Sequence, residues 1–242
     1  MLETRTHLVV AFDLDDTLYP QEAHMQSGLR AASCAAAERW GFDASDVLAR
    51  LQRELRHGAR GRVIDTVLAE LGVPGVGNAQ WLVGVYRHHD PELVLPEVSD
   101  RVLSALADHA LYVVTDGHKV VQDKKLDALG VRERVRHCYI THRYGVRHAK
   151  PSPHVFELMA EREGCLPSEL VYIGDNPHKD FRGIRPLGCR TIRVLTGPHA
   201  SAEVVPEYDA EVHVHSLSEV PDLIAAWETA AASDHSNRTE AA

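Results

Sequence analysis

Short, fully apolar runs that end in polar or acidic residues recur along this chain. The first run covers residues 9–12 and ends at Asp13. Runs of this length and composition predict strands that are buried on both faces, as the strands of a parallel sheet are. The predicted strands are residues 9–12, 110–115, 138–141, 170–174, 190–195 and, at an edge, 212–214.

Helical periodicity fills the segments between these runs. Between Asp15 and Thr115 lie 99 residues, too many for a simple crossover, and apolar side chains recur there at three- and four-residue steps without a strand pattern. This predicts a helical insertion directly after the first strand. Outside the insertion, helices are predicted at 97–108, 118–129, 152–163, 181–187 and 218–230.

The alternation of strands and helices predicts an α/β fold, a Rossmann-like, doubly wound parallel sheet with an inserted α-helical domain. We assign residues 1–18 and 92–230 to the core and residues 19–91 to the insertion. Residues 231–242 are small and polar, which predicts a disordered tail.

Composition excludes several classes of protein. The formal charge of −9 disfavours a nucleic-acid surface, which needs net positive charge. The four cysteines lie far apart, which predicts reduced thiols in a cytoplasmic protein. We find no apolar stretch of membrane-spanning length and no signal-peptide layout at the N-terminus, so no membrane association is expected.

Polar side chains cluster where the predicted strands end. Asp13 and Asp15 are two residues apart and point the same way, because side chains alternate faces along a strand. Thr115, Asp175 and Asp180 follow two further apolar runs. In a parallel sheet such strand ends share one edge, where α/β proteins bind their ligands. The sequence therefore predicts one pocket that holds a nucleophile, a proton donor and metal ligands.

These residues resemble the motifs of the haloacid dehalogenase superfamily of hydrolases. All four motifs occur in order: Asp13-x-Asp15-x-Thr17, Thr115 after an apolar strand, Lys150, and Gly174-Asp175-x4-Asp180. The resemblance covers residues 7–197 as a framework. It implies that the core carries the chemistry and that the helical insertion is a cap that closes over the substrate.

The resemblance also implies roles for these residues. Asp13 would be the nucleophile that forms an aspartyl-phosphate, and Asp15 would protonate the leaving oxygen and later activate water. The substrate's phosphate would be bound by Thr115, Asp116, Gly117 and Lys150. Asp116 replaces an asparagine that is common at this position in the family, so the role of its side chain stays open.

Magnesium is the implied cofactor. The carboxylates of Asp13 and Asp175 and the backbone carbonyl of Asp15 would hold it, with Asp180 as a further ligand or as support for a bound water or Lys150. The charges agree with this, because carboxylates crowded into one pocket repel each other. A divalent cation together with Lys150 would relieve that repulsion and let a dianionic phosphate approach.

Two features separate branches of the family. Dehalogenases lack an acid two residues after the nucleophile, because halide leaves without a proton, so Asp15 favours phosphate chemistry. Phosphonatases need a Schiff-base lysine in the cap, and residues 19–91 contain no lysine.

The sequence thus predicts a magnesium-dependent phosphatase for a small phosphate monoester, a sugar phosphate or a nucleoside monophosphate. A phosphomutase and a non-catalytic protein that binds phosphate or a partner are the alternatives. The expected partner is a small phosphorylated metabolite, with no nucleic acid or membrane, and the expected state is a monomer or homodimer. Arg87, His89 and His118 are candidate specificity residues, although cationic side chains at a helix end also stabilise its dipole.

Overall fold

A six-stranded parallel sheet forms the centre of the predicted core. The computed structural model describes residues 8–57 and 60–240. If the six strands are numbered in chain order, they lie side by side in the order 3-2-1-4-5-6, and every neighbouring pair is parallel. This confirms the predicted α/β fold. The strands are β1 (Val9–Phe12), β2 (Ala110–Thr115), β3 (His137–Ile140), β4 (Leu170–Gly174), β5 (Arg190–Val194) and β6 (Val212–Val214).

The first strand lies in the middle of this sheet, between β2 and β4. Its last residue, Phe12, pairs with Val113 on one side and with Ile173 on the other. Asp13 continues the ladder, since its backbone N–H donates to the Ile173 carbonyl at 2.7 Å. The residues that follow β1, β2 and β4 are therefore brought to one edge of the sheet, as the sequence predicted.

The helices follow the predicted pattern with two differences. They are α1 (Gln21–Trp40), α2 (Ala44–His57), α3 (Val63–Glu70), α4 (Val76–His88), α5 (Glu97–Ala105), α6 (Lys119–Ala128), α7 (His154–Glu163) and α8 (Val220–Glu240). The helix predicted at 181–187 is reduced to a 3-10 turn at Arg185–Leu187, because Gly183 and Pro186 interrupt it. Where a disordered tail was predicted from residue 231, α8 continues as far as Glu240, through three alanines and with no glycine or proline to end it; the last two residues of the predicted tail, 241–242, lie outside the described residues.

The chain folds into two compact units. Met1–Gln21, Val94–Gln122 and Leu129–Ala242 form one, and Glu22–Leu93 with Asp123–Ala128 forms the other. Compared with the predicted division, residues 123–128 move from the core to the helical unit. Among the described residues, no helix is long and apolar enough to cross a membrane.

Each unit has its own hydrophobic core. In the sheet unit, buried aromatic side chains of the strands and α7 pack together, including Tyr112, Phe156 and Tyr172. In the helical unit, Leu51 and Leu82 are fully buried among apolar side chains from α1 to α4. Burial on this scale stabilises each unit by about 25 cal/mol for each square ångström of apolar surface removed from water.

Candidate active site

A buried lysine joins two of the predicted carboxylates. Lys150 Nζ donates to Asp13 Oδ1 at 2.6 Å and lies 2.7 Å from Asp180 Oδ1. It also donates to the Tyr172 hydroxyl at 2.8 Å, and that hydroxyl donates to the Val114 carbonyl at 3.3 Å. All four side chains, those of Asp13, Lys150, Tyr172 and Asp180, are nearly inaccessible to water. The structure therefore places Asp13, the predicted nucleophile, in direct contact with the Lys150 ammonium group.

The charges of this cluster are strongly perturbed. Burial raises the pKa of Asp13 to about 6, against the lowering effect of Lys150. Burial alone would lower the pKa of Lys150, but Asp13 and Asp180 hold it well above its usual value. The contact with Lys150 favours the ionised form of Asp13, which is the form that could act as a nucleophile.

Three carboxylates of this edge fit a divalent cation. Oxygens of Asp13, Asp175 and Asp180 lie within 4.8 Å of one another, and all three side chains are buried. Burial, followed by the charges of Asp13 and Asp180, raises the pKa of Asp175 to about 8. This shift marks negative charge that Lys150 does not offset. Carboxylate oxygens are the donors that magnesium prefers, so the residues present fit this ion.

Close backbone approaches hold Asp180 in place. Its Oδ2 accepts the Asn176 backbone N–H at 2.9 Å. A side chain at Gly174 would place its Cβ 2.5 Å from the same oxygen, and a Cβ at Gly183 would lie 1.6 Å from the Pro151 carbonyl oxygen. The loop that carries Asp180 thus packs directly on the backbone that follows Lys150, which requires glycine at both positions.

The second predicted acid is held by hydrogen bonds on both oxygens. Asp15 Oδ1 accepts the Tyr19 hydroxyl at 2.6 Å, and Oδ2 accepts the Gln122 amide at 2.8 Å. The same Gln122 nitrogen lies 2.5 Å from Thr115 Oγ1. Asp15 and Thr115, which are 100 positions apart in the chain, are therefore bridged by one amide group.

The two residues after Thr115 form a tight turn. Gly117 has a φ of +137°, which favours glycine. The carboxylate of Asp116 accepts the Thr141 hydroxyl and, at 3.1 Å, the Lys150 backbone N–H. These contacts tie the ends of β2 and β3 to the Lys150 loop. The sequence left the role of the Asp116 side chain open, and these contacts indicate that it connects the loops of the site.

Two of the three candidate specificity residues, Arg87 and His89, belong to the helical unit, and His118 belongs to the sheet unit. Arg87 is exposed in the last turn of α4, and His118 is exposed just before α6. His89 is half-buried, with Nδ1 donating to the Tyr86 carbonyl at 2.7 Å. His89 Nε2 is buried without a hydrogen-bond partner in the described part of the chain.

Three residues of the site were missed by the sequence analysis: Tyr19, Gln122 and Tyr172. Tyr172 lies inside an apolar strand, and its position two residues before Gly174 was the available sign that it points to the same face. Gln122 is a buried amide in the first turn of a helix that begins near a motif, which is a weak sign by itself. Tyr19 was placed at the start of the insertion and not in the site.

The comparison with protein families agrees with the motifs. A model of haloacid dehalogenase-like hydrolases matches residues 8–188. This chain therefore belongs to the haloacid dehalogenase-like hydrolases, which confirms the resemblance found in the sequence.

Several named proteins are similar to the chain over most of its length. A glyceraldehyde 3-phosphate phosphatase of Methanopyrus kandleri is 30% identical over 226 residues, covering 89% of this chain and 94% of that protein. One from Methanocaldococcus jannaschii is 26% identical over 226 residues, covering 89% and 96%. Among solved structures, the hydrolase YfnB of Bacillus subtilis, described as bound to magnesium, gives a TM-score of 0.63 at 22% identity, covering 90% and 98%. That last likeness is one of fold.

Proposed function

We propose that this protein is a magnesium-dependent phosphatase that hydrolyses a small phosphate monoester through an aspartyl-phosphate at Asp13. The observation that carries the proposal is the pairing of the buried Asp13 carboxyl with Lys150, at 2.6 Å, next to Asp175. The presence of Asp15 two residues later supports a leaving group that needs a proton. The names of the similar archaeal phosphatases support the same chemistry.

In the first step an Asp13 oxygen attacks phosphorus, and the bond from phosphorus to the ester oxygen breaks. Asp15 gives its proton to that oxygen, so the alcohol leaves neutral. The Thr115 hydroxyl and the backbone N–H groups of Asp116 and Gly117 would bind phosphoryl oxygens, where negative charge accumulates. Lys150 would offset that charge and hold Asp13 in line with phosphorus.

In the second step Asp15 takes a proton from water, and the water oxygen attacks phosphorus. The bond between phosphorus and Asp13 then breaks, which releases inorganic phosphate and restores the Asp13 carboxylate. Tyr19 and Gln122 both donate hydrogen bonds to Asp15, so its carboxyl group is held in place for both steps.

We propose that the carboxylates of Asp13 and Asp175 and the backbone carbonyl of Asp15 hold magnesium, with Asp180 in support. Magnesium would offset the negative charge of the transferring phosphoryl group. Burial, followed by the charges of Asp13 and Asp180, raises the pKa of Asp175 to about 8, and a cation held by these carboxylates would offset that repulsion. Asp180 already contacts Lys150 and the Asn176 N–H, which favours the supporting role over direct ligation.

For the substrate, we propose a small sugar phosphate ahead of a nucleoside monophosphate. Two relatives that span most of the chain are named for glyceraldehyde 3-phosphate, which supports this order. We propose that His89, Arg87 and His118 contact the part of the substrate that does not react. The unpartnered Nε2 of His89, whose ring lies 5.1 Å from that of the buried His24, supports a polar contact there. We keep the cytoplasm as the proposed location, since all four cysteines are free thiols.

The test is release of inorganic phosphate across a panel of sugar phosphates and nucleoside monophosphates, in magnesium and in EDTA. We expect magnesium-dependent release that favours one class, and its loss in Asp13→Asn. Release by Asp13→Asn at the wild-type rate would overturn the proposal. Activity that requires a sugar bisphosphate as an added activator would instead identify a phosphomutase.

A further inference from the structure

Gln122 is a buried polar side chain that the two-step reaction does not use directly. It lies in the first turn of α6, where its backbone N–H donates to the His118 carbonyl at 3.0 Å. Its side chain is 2% exposed. A Cβ at Gly117 would lie 3.2 Å from Gln122 Cγ and Cδ, so the turn after β2 closes tightly over the amide. The position of this amide is therefore set by its surroundings.

The amide nitrogen contacts two groups with different tasks in the proposed reaction. It lies 2.8 Å from Asp15 Oδ2 and 2.5 Å from Thr115 Oγ1. A primary amide nitrogen carries two protons, one for each of these acceptors. One group thus sets the distance between the proton donor and the hydroxyl that would bind the phosphoryl group.

The direction of these hydrogen bonds has chemical consequences. Thr115 Oγ1 accepts from the amide, so the hydroxyl's own proton is directed elsewhere and can be donated to a phosphoryl oxygen. Asp15 Oδ2 also accepts from the amide, and an amide N–H cannot act as an acceptor. On Oδ1 the partner is the Tyr19 hydroxyl, which can both donate and accept. Both contacts of the amide are donations, so they orient the Asp15 carboxylate and the Thr115 hydroxyl together.

We propose that Gln122 is a positioning residue, which holds the carboxyl of Asp15 and the hydroxyl of Thr115 in register for proton transfer to the leaving oxygen. This inference rests on the proposed phosphatase function. If Gln122 has this role, loss of its amide should lower kcat/KM most for substrates whose leaving oxygen depends most on protonation.

The test compares kcat/KM for Gln122→Met and wild type on esters of increasingly basic alcohols: p-nitrophenyl phosphate, phenyl phosphate and glycerol phosphate. Methionine keeps the length of the side chain and removes both hydrogen bonds. We expect a loss of about 10- to 100-fold on glycerol phosphate, the range for hydrogen bonds to a charged group. On p-nitrophenyl phosphate, whose leaving group needs little protonation, we expect a loss of less than about threefold.

Two further variants complete the design. Gln52→Met is the matched control, because the Gln52 amide donates to Gln26 Oε1 at 2.7 Å in the helical unit, and it should leave all three substrates unaffected. Gln122→Asn keeps the amide but shortens the side chain, and it replaces Gln122→Met in the experiment if that variant does not fold. We expect the same dependence of the loss on the leaving group. Equal losses on all three substrates, or no loss, in an otherwise active enzyme would overturn the role of Gln122. No phosphate release by the wild type would instead overturn the phosphatase proposal.

Discussion

Replacement of Lys150 by methionine should destabilise the protein far more than replacement of an ordinary lysine. Methionine matches much of the volume of lysine but has no charge. The Lys150 side chain is 1% exposed, and its partners Asp13 and Asp180 are 3% and 0% exposed. The variant therefore leaves two carboxylates buried without their cation.

The size of the effect follows from this burial. Removing one partner of a buried ion pair typically costs about 3–5 kcal/mol, since the remaining charge is neither paired nor hydrated. In a protein of this length 1 kcal/mol lowers Tm by about 2–4 °C, so Tm should fall by roughly 6–20 °C. Because Lys150 lowers the pKa of Asp13, its loss should raise that pKa above about 6. Protonation of Asp13 then relieves the repulsion at low pH, so the loss should be larger at about pH 8 than at about pH 5.

The assay is urea unfolding in EDTA at both pH values, with Lys124→Met as the matched control. Lys124 Nζ contacts Asp90, whose side chain is 98% exposed, at 2.7 Å, and it also donates to the backbone carbonyls of His88 and His89. Exposed pairs of this kind contribute about 0–1 kcal/mol. The double variant Lys150→Met/Asp180→Asn has one unpaired buried charge fewer than Lys150→Met. Its loss of unfolding free energy should therefore be smaller than the sum of the losses in Lys150→Met and Asp180→Asn. A loss for Lys150→Met no greater than that for Lys124→Met would refute the role assigned to this buried cation.

The remaining predictions concern the metal and the backbone. Burial raises the pKa of Asp13 from 3.8 to about 6 and that of Asp175 from 3.8 to about 8. The folded chain therefore binds these protons more tightly than the unfolded chain does. In EDTA, its free energy of unfolding should fall as the pH rises from 3.8 to about 8. Magnesium competes with those protons, so it should raise Tm more at about pH 8.5 than at about pH 5. Asp175→Asn should make the two rises in Tm more nearly equal. An equal rise at both pH values in the wild type would contradict the assigned ligands. Gly183→Ala should cost about 1–3 kcal/mol, because its Cβ would meet the Pro151 carbonyl oxygen, and should also lower kcat. Gly84→Ala, in open space within α4, should instead stabilise the chain by up to about 1 kcal/mol in the same denaturant titration.

The motifs could be predicted from the sequence because they are local. Asp13 and Asp15 follow one apolar run directly, and Thr115 and Asp175 follow two others. A parallel sheet brings the carboxyl ends of its strands to one edge, so predicting the strands also predicted which side chains share that edge. Lys150 lies on no strand, and only the family resemblance connected it with Asp13.

The bridge through Gln122 could not be predicted, because it depends on packing between distant segments. The two residues that accept its hydrogen bonds, Thr115 and Asp15, lie 7 and 107 positions away along the chain. The contacts of Asp116 are of the same kind, since its acceptor role depends on how β3 and the Lys150 loop meet. The helical structure of α8 beyond residue 230 is not evident from composition, because small and polar residues there are typical of a disordered tail, whereas the alanines favour a helix.

The central claim is that Asp13 takes the phosphoryl group, and the direct measurement is mass spectrometry of acid-quenched enzyme during turnover. With magnesium and a small sugar phosphate, the peptide that contains Asp13 should carry one phosphoryl group on that residue, and the modification should be absent from Asp13→Asn. Phosphate release without any phosphorylated intermediate on Asp13, or a phosphoryl group trapped on another residue, would contradict the account.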